Sequence, residues 1–332
     1  MNRLAVYGWD EDEPRLLDAL QRDALFTLAA VGDRHASALV RARAATGRPC
    51  YQHALEMFRT ARYDAALLAT SEGAMQAAQA ASTAGAAVLL LGTCADGATI
   101  VEASEAALRA RVPFALMRPR LQQAGLVFLL NLAASDAGWR PRFLDLSIAA
   151  PTGATELSRD AIALANRLMQ TTPSSVIGAA LGDDELEGCD TVTAELRYTE
   201  VRLATLRART SRVERVTIFA ECPLGELELH AEGGTATLTM SLRDGRSETS
   251  RLTDGDLFAA EAQRATRVIA GDASDALFAP RDGSTLLALE RSILTAQVAL
   301  VEEPSSRSHL VLMEGHAVAP SRPLGHLRLV GV

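Results

Sequence analysis

The chain contains no lysine; all 33 of its basic residues are arginine. Arginine stays protonated near neutral pH, so a lysine proton donor or a lysine Schiff base is excluded from any mechanism. Cysteine is sparse as well. Cys50, Cys94, Cys189 and Cys222 are widely scattered and form no C-x-x-C pair, which indicates neither a zinc site nor a disulfide framework. No window holds the roughly 18 uninterrupted apolar residues of a membrane helix, and the N-terminus lacks a basic region followed by an apolar stretch. A cytoplasmic protein is the expectation. Positive charge is in deficit: the net charge is -8, which argues against nucleic acid or an anionic membrane as a general partner. What remains is an ordinary globular composition, 332 residues with 48% hydrophobic and 22% charged, long enough for two domains.

A further absence lies near the N-terminus. Arg3 to Tyr7 is a short apolar run, Gly8 supplies a turn, and Pro14 to Leu20 restarts with the spacing of an amphipathic helix. A dinucleotide-binding turn normally carries G-x-G-x-x-G, the later glycines allowing the pyrophosphate to approach the backbone and the helix to pack closely. Here Gly8 fills the first position, but Asp10 and Glu13 fill the second and third, with Glu11 and Asp12 between them. At about 4–6 Å and an effective dielectric near 20, each carboxylate–phosphate pair costs roughly 3–4 kcal/mol before salt screening. The same carboxylates can cap their own helix, and in either case the anion site is filled from within.

Strands and helices alternate from this turn to about residue 118. Phe26 to Val31 is a strand ending in Gly32-Asp33-Arg34, and His35 to Thr46 is a helix closed by Gly47. Asp33 lies about 20 residues beyond the first turn, where an acidic residue meets an adenosine ribose and a neighbouring arginine accepts a 2′-phosphate; it equally suits a cap on the next helix. A short helix over Ala54–Thr60, a strand over 63–70, a helix over 72–83, a strand over 87–91, a helix over 99–109 and a strand over 112–117 complete the series. This order predicts a doubly wound parallel sheet with its ligand site near Gly8, Asp33, Thr70, Ser71 and Gly92.

After Pro119 the pattern becomes α+β. Helices are expected over 122–134 and 156–169, a strand over 143–148, and then alternating strands over 191–210, 214–222, 225–231, 235–242 and 247–252. Helices return over 257–270 and 284–301. The expected division is a Rossmann-like domain over 1–118 and an α+β domain with an open, mainly antiparallel sheet over 119–304. The helix over 284–301 should pack back on the first domain, and a tail should follow over 305–332. Thr205, Arg207 and Arg209 share one strand face, suited to a solvated surface, a subunit contact or an anionic ligand. The tail histidines His309, His316 and His326 match no metal spacing, and Leu310 to Met313 could add a strand to a partner.

The order of these parts resembles the Gfo/Idh/MocA family, the glucose-fructose oxidoreductase and inositol dehydrogenase group, over residues 3 to about 301. The likeness is carried by Val6-Tyr7-Gly8, by Gly32-Asp33-Arg34, and by the run from Tyr63 to Ser71, which is similar to the family's D-A-V-V-I-A-T-P strand. It continues in Ala84 to Leu90, in Gly225 to Leu229, and in Asp282-Gly283-Ser284 before the closing helix. The resemblance implies a Rossmann-type oxidoreductase fold, NAD or NADP as cofactor, and pairing through the open sheet. In similar proteins a lysine and a histidine polarise and deprotonate a sugar hydroxyl as hydride leaves. Here the family's Glu-Lys-Pro signature falls on Leu91-Gly92-Thr93, the histidine following its Asp-x-x-x-His helix falls near Asp160 or Ala161 with Glu156 near the aspartate, and its T-P-N-x-x-H histidine falls on Met75.

The joint loss of phosphate loop and proton-transfer residues favours a pseudoenzyme. Such a chain would favour no cofactor and bind a protein partner, a second copy or an active relative through the open sheet. The alternative is a divergent NAD(P)-dependent oxidoreductase acting on a sugar-like or other small hydroxy or carbonyl compound, retaining Gly8, Asp33, Arg34, Thr70, Ser71 and Gly92. A lyase or isomerase using Glu156 and Asp160 as acid and base at i, i+4 spacing is a third class.

Overall fold

Alternate residues of the first strand feed two separate cores, which is what a parallel strand buried on both faces requires. The computed structural model describes residues 2–9, 14–22, 25–182, 189–198, 201–271 and 278–302. In β1 (Asn2–Tyr7), Leu4 and Val6 face one core while Ala5 and Tyr7 face the other. The chain then runs through α1 (Pro14–Gln21), β2 (Phe26–Gly32), α2 (Ala36–Thr46), β3 (Cys50–Tyr51), α3 (Ala54–Thr60), β4 (Ala65–Leu68), α4 (Ala74–Thr83), β5 (Ala87–Leu91), α5 (Gly97–Ala110) and β6 (Phe114–Met117). The six strands are parallel in the order β3-β2-β1-β4-β5-β6, which places the topological switch point between β1 and β4.

The second half opens with α6 (Ala124–Ser135), β7 (Phe143–Ala150) and α7 (Ala154–Met169). It continues through β8 (Ser175–Gly182), β9 (Cys189–Arg197), β10 (Leu203–Thr210), β11 (Arg215–Glu221), β12 (Gly225–Glu232), β13 (Thr235–Leu242) and β14 (Ser247–Thr253). Two helices, α8 (Leu257–Ile269) and α9 (Ala279–Thr295), and the short β15 (Ala299–Leu300) complete the described chain. The nine-stranded sheet has the order β14-β13-β12-β11-β7-β10-β9-β8-β15, antiparallel except where β7 and β10 run together. Its inner face packs on α7, with Leu144, Leu146, Leu206 and Leu229 among the buried residues.

The structure corrects three expectations. The stretch over 191–210 is two antiparallel strands, β9 and β10, joined by a turn in which the Tyr198 amide donates to the Arg202 carbonyl at 2.9 Å. The inward residues are even-numbered on both sides of that turn (Ala194, Leu196, Ala204, Leu206), so the alternation conceals it. The strands β3 and β8 were not foreseen; β3 is only two residues long, and the Gly178-Ala179-Ala180 segment of β8 carries little hydrophobic contrast. The helix expected over 284–301 is α9, which ends at Thr295 before Ala296 turns left-handed and β15 begins.

Both final helices return to the first sheet. There α9 packs on α5, and the contact is close: a Cβ on Gly97 would lie 2.8 Å from the Gly283 carbonyl. In addition α8 packs on α1 and β6. Among the described residues no helix is long and apolar enough to cross a membrane. Asp10 to Glu13 and the tail over 305–332, with its three histidines and Leu310 to Met313, lie outside the described residues.

Candidate functional site

Doubly wound sheets hold ligands outside the carboxyl ends of their strands at the switch point. Here that crevice is walled by the turns after β1, β2 and β4. Gly8 adopts φ +89°, and a Cβ there would sit 2.6 Å from the Thr70 Cβ and 2.9 Å from the Ala69 carbonyl carbon. The first turn is therefore glycine by necessity, pressed against the loop that carries Thr70 and Ser71. Asp33 follows β2 and is buried; one carboxylate oxygen accepts the Trp9 amide at 2.8 Å and the other the His35 amide at 2.7 Å. It fastens the first turn to the second, and a carboxylate with four lone-pair sites retains capacity for a ribose hydroxyl.

Arg34 does not project freely into the crevice. Its guanidinium meets Glu72 at 2.8 Å, and the second Glu72 oxygen lies 3.2 Å from the His35 imidazole. The Arg34 stem crosses the end of β1, so close to Gly73 that a Cβ there would lie 3.3 Å from Arg34 Cδ and 3.4 Å from the Tyr7 hydroxyl. Burial raises the Tyr7 phenol above its ordinary value. The two lips, after β2 and β4, are thus tied by charge over the end of β1. Glu72 sits in the loop that supplies Thr70 and Ser71, and its place between that loop and the Gly73 helix start was the available sequence signal.

The other end of the crevice lies beyond β5 and β6. Gly92 donates its amide to the Met117 carbonyl at 2.9 Å, and a Cβ on it would meet Arg118 Cγ at 3.1 Å. Arg118 fills this corner with 3% exposure. Its guanidinium donates to one oxygen of Asp160 at 3.1 Å, while Arg120 donates to the other at 2.6 Å. Arg120 also reaches Glu214 at 3.1 Å; burial works against its charge, but Asp160 and Glu214 outweigh burial and raise its pKa. The Arg118 amide donates to Glu261, a fully buried carboxylate that also accepts Gln122 and Arg264. From α7, Arg159 donates to the Thr93 carbonyl at 2.6 Å, closing the loop after β5.

Of the two weak acid–base candidates, Asp160 is therefore at the centre of a buried ion network, and Glu156 is half-buried one turn earlier. Behind the network, Tyr198 donates to Asn166, which donates to the buried Asp282 at 3.0 Å. Sequence reasoning missed Arg118, Arg120, Glu261 and Asn166. Arg118-Pro119-Arg120 directly after a buried strand was a usable signal; Glu261 and Asn166 carried none, since each sits inside an expected helix with no motif around it. The two crevice ends differ in their fit to a dinucleotide. The end at β1, β2 and β4 has the glycine turn and the acidic residue, whereas the end at β5, β6 and α7 is filled by guanidinium–carboxylate pairs. Among the described residues no three His, Cys, Asp or Glu gather to hold a metal.

The stripe of Thr205, Arg207 and Arg209 lies on the outer face of the nine-stranded sheet, with Leu206 and Ala208 buried on the other. Thr205 donates to Asp145 on β7 at 2.8 Å. A shallow groove on this face is lined by Asp145, Ile177, Ala179, Glu195, Thr205 and Arg207.

No family model and no curated protein sequence matches the chain. Solved structures do. An oxidoreductase from Agrobacterium radiobacter in complex with NAD+, L-tartaric acid and magnesium aligns with TM-score 0.76 at 12% identity, over 90% of this chain and 98% of that one. An NAD-binding oxidoreductase from Klebsiella pneumoniae aligns with TM-score 0.75 at 15% identity, over 91% and 99%. The scyllo-inositol dehydrogenase of Lactobacillus casei with bound NAD(H) and scyllo-inositol aligns with TM-score 0.71 at 14% identity, over 91% and 99%. At these identities the likeness establishes the fold: the chain is built as the Gfo/Idh/MocA-type oxidoreductases are, with a Rossmann-like sheet followed by a mainly antiparallel one.

Proposed function

We propose that this protein is a non-catalytic homologue of the oxidoreductases whose fold it shares, a binding subunit that keeps the adenosine end of the crevice and has replaced the proton-transfer end with a structural ion network. The observation that carries this reading is Asp160: it is buried, and each of its oxygens is engaged by a guanidinium, Arg118 on one side and Arg120 on the other. Transfer of hydride from a hydroxyl-bearing carbon needs a base to accept the hydroxyl proton. A carboxylate whose lone pairs are directed at two arginines is a poor base, arginine is none, and the chain has no lysine. The described histidines stand elsewhere, with His35 at the β2 lip, His53 before α3 and His230 on β12. The acidic run Asp10 to Glu13, which follows the Gly8 turn in sequence, adds an electrostatic argument against a pyrophosphate.

The partner in this reading docks on the outer face of the nine-stranded sheet, either a second copy or a related active enzyme. Titration of the purified protein with NADH and NADPH, followed by incubation with NAD+ or NADP+ and a panel of sugars, polyols and hydroxy acids, tests the first part. The expected result is no reduced nicotinamide, and sustained turnover on any compound would overturn it. Light scattering and co-purification from the native host test the second, and a strict monomer with no companion protein counts against it.

Asp33 favours a second reading. Its carboxylate stands after β2 at the place where a ribose is met, which supports a divergent NAD(P)-dependent oxidoreductase acting on a small hydroxy or carbonyl compound. Micromolar binding of either reduced cofactor together with turnover selects this reading over the first.

A further inference from the structure

Arg34 and His35 stand at the β2 lip, where a phosphate on the ribose 2′ position is ordinarily received, and both already engage Glu72. We infer that Glu72 is a specificity residue: it occupies, as an internal anion, the place of a 2′-phosphate, so that the crevice discriminates against 2′-phosphorylated adenosine in favour of adenosine with a free 2′-hydroxyl. The inference rests on the reading that the crevice retains its adenosine end.

The three side chains are half-exposed or more, Arg34 at 53%, His35 at 69% and Glu72 at 52%, and what distinguishes the arrangement is the fixed backbone beneath it. Both oxygens of Glu72 are used, one by the Arg34 guanidinium at 2.8 Å and the other by the His35 imidazole at 3.2 Å. The Glu72 backbone is fixed in turn, since its amide donates to Thr70 Oγ1 at 3.2 Å and Gly73 after it holds φ +75° to start α4. The Arg34 stem runs beside Gly73, where a Cβ would lie 3.3 Å from its Cδ, and the Arg34 carbonyl accepts from the Gln52 side chain at 3.4 Å. Asp33, one residue before Arg34, accepts backbone amides at both oxygens and so leaves the Arg34 and His35 side chains to Glu72.

A phosphate arriving here meets the Arg34 guanidinium, the His35 imidazole and the Glu72 carboxylate within a few ångströms. It must displace Glu72 and then lie beside a carboxylate that has lost its partners. A free 2′-hydroxyl needs neither change and can donate to Asp33. The selection is therefore negative, exercised by a carboxylate on the opposite lip from the residues that would bind the phosphate.

The test uses the full chain at fixed pH 7 and ionic strength, titrated by calorimetry or protein NMR with adenosine and with adenosine 2′-monophosphate, neither of which carries a 5′-phosphate to meet Asp10 to Glu13. Wild type, Glu72→Gln, and Glu72→Gln combined with Arg34→Ala are compared. Glu72→Gln is expected to leave adenosine affinity within about twofold and to raise affinity for the 2′-monophosphate about tenfold or more, with the gain lost when Arg34 is also removed. An unchanged ratio of the two affinities, or a gain that survives loss of Arg34, overturns the inference while leaving the adenosine end in place. If neither compound binds any of the three proteins, the inference and the adenosine reading fall together.

Discussion

Removing Asp160 separates a structural role from a catalytic one. Its side chain is 5% exposed and neutralises Arg118 at 3% and Arg120 at 17%. In Asp160→Ala, Arg120 retains Glu214 and Thr152, so the loss falls mainly on Arg118, whose guanidinium is left in a closed corner between Gly92 and Met117. Breaking a buried pair from one side costs about 3–5 kcal/mol, because the remaining charge is uncompensated. A suitable control is Arg109→Ala, which removes an i, i+4 pair with Glu105 at 67% and 40% exposure and should cost about 0.5 kcal/mol or less. Urea denaturation followed by circular dichroism measures both, provided the slope with denaturant is unchanged. Combining Asp160→Leu with Arg118→Met should destabilise less than Asp160→Ala alone, since the apolar replacements leave no Arg118 charge without its partner. If Asp160→Ala costs no more than the control, Asp160 does not hold the network together and the structural reading fails.

Three other outcomes follow from the same coordinates. Gly8→Ala should cost several kcal/mol, combining left-handed strain with the collision against Thr70, whereas Gly234→Ala at φ +81° meets nothing within 4 Å and should show the strain alone, about 1–2 kcal/mol; equal midpoints in thermal unfolding would refute the tight turn. Burial raises the Asp282 carboxyl above its ordinary 3.8 against the pull of Arg118 and Arg167, so the folded chain holds a proton that the unfolded chain releases. That contribution is complete below pH 3.8 and is lost as pH rises through the folded value; Asp282→Asn should flatten stability across this window, and parallel curves in denaturation at a series of pH values would count against it. Burial pushes the Cys222 thiol up to about 12, and Cys222 is buried while Cys50 and Cys94 are partly accessible. Mass spectrometry after brief alkylation of the native protein should therefore find Cys222 unmodified, and early labelling there would contradict its burial.

Sequence alone determined the order of β1, β2, β4, β5 and β6 and of the helices between them, because each of these parallel strands is a continuous apolar run, whereas the two-residue β3 is too short to register as one. It also placed the glycine turn at Gly8, the acidic residue at Asp33 and the loop at Thr70, since these depend on local conformation and on fixed spacing along one βαβ unit. It excluded lysine chemistry outright. Glu72 was within reach, lying in that same loop, but its role depended on Arg34 folding across β1. The tertiary structure alone decided what occupies the opposite end of the crevice. Arg118 finds Asp160 and Glu261 across 42 and 143 residues of chain, and no periodicity records such a pairing. The sequence left Asp160 and Glu156 as an exposed-looking helical pair open to acid–base use; burial against two arginines from the end of β6 is what turned Asp160 into a counter-ion.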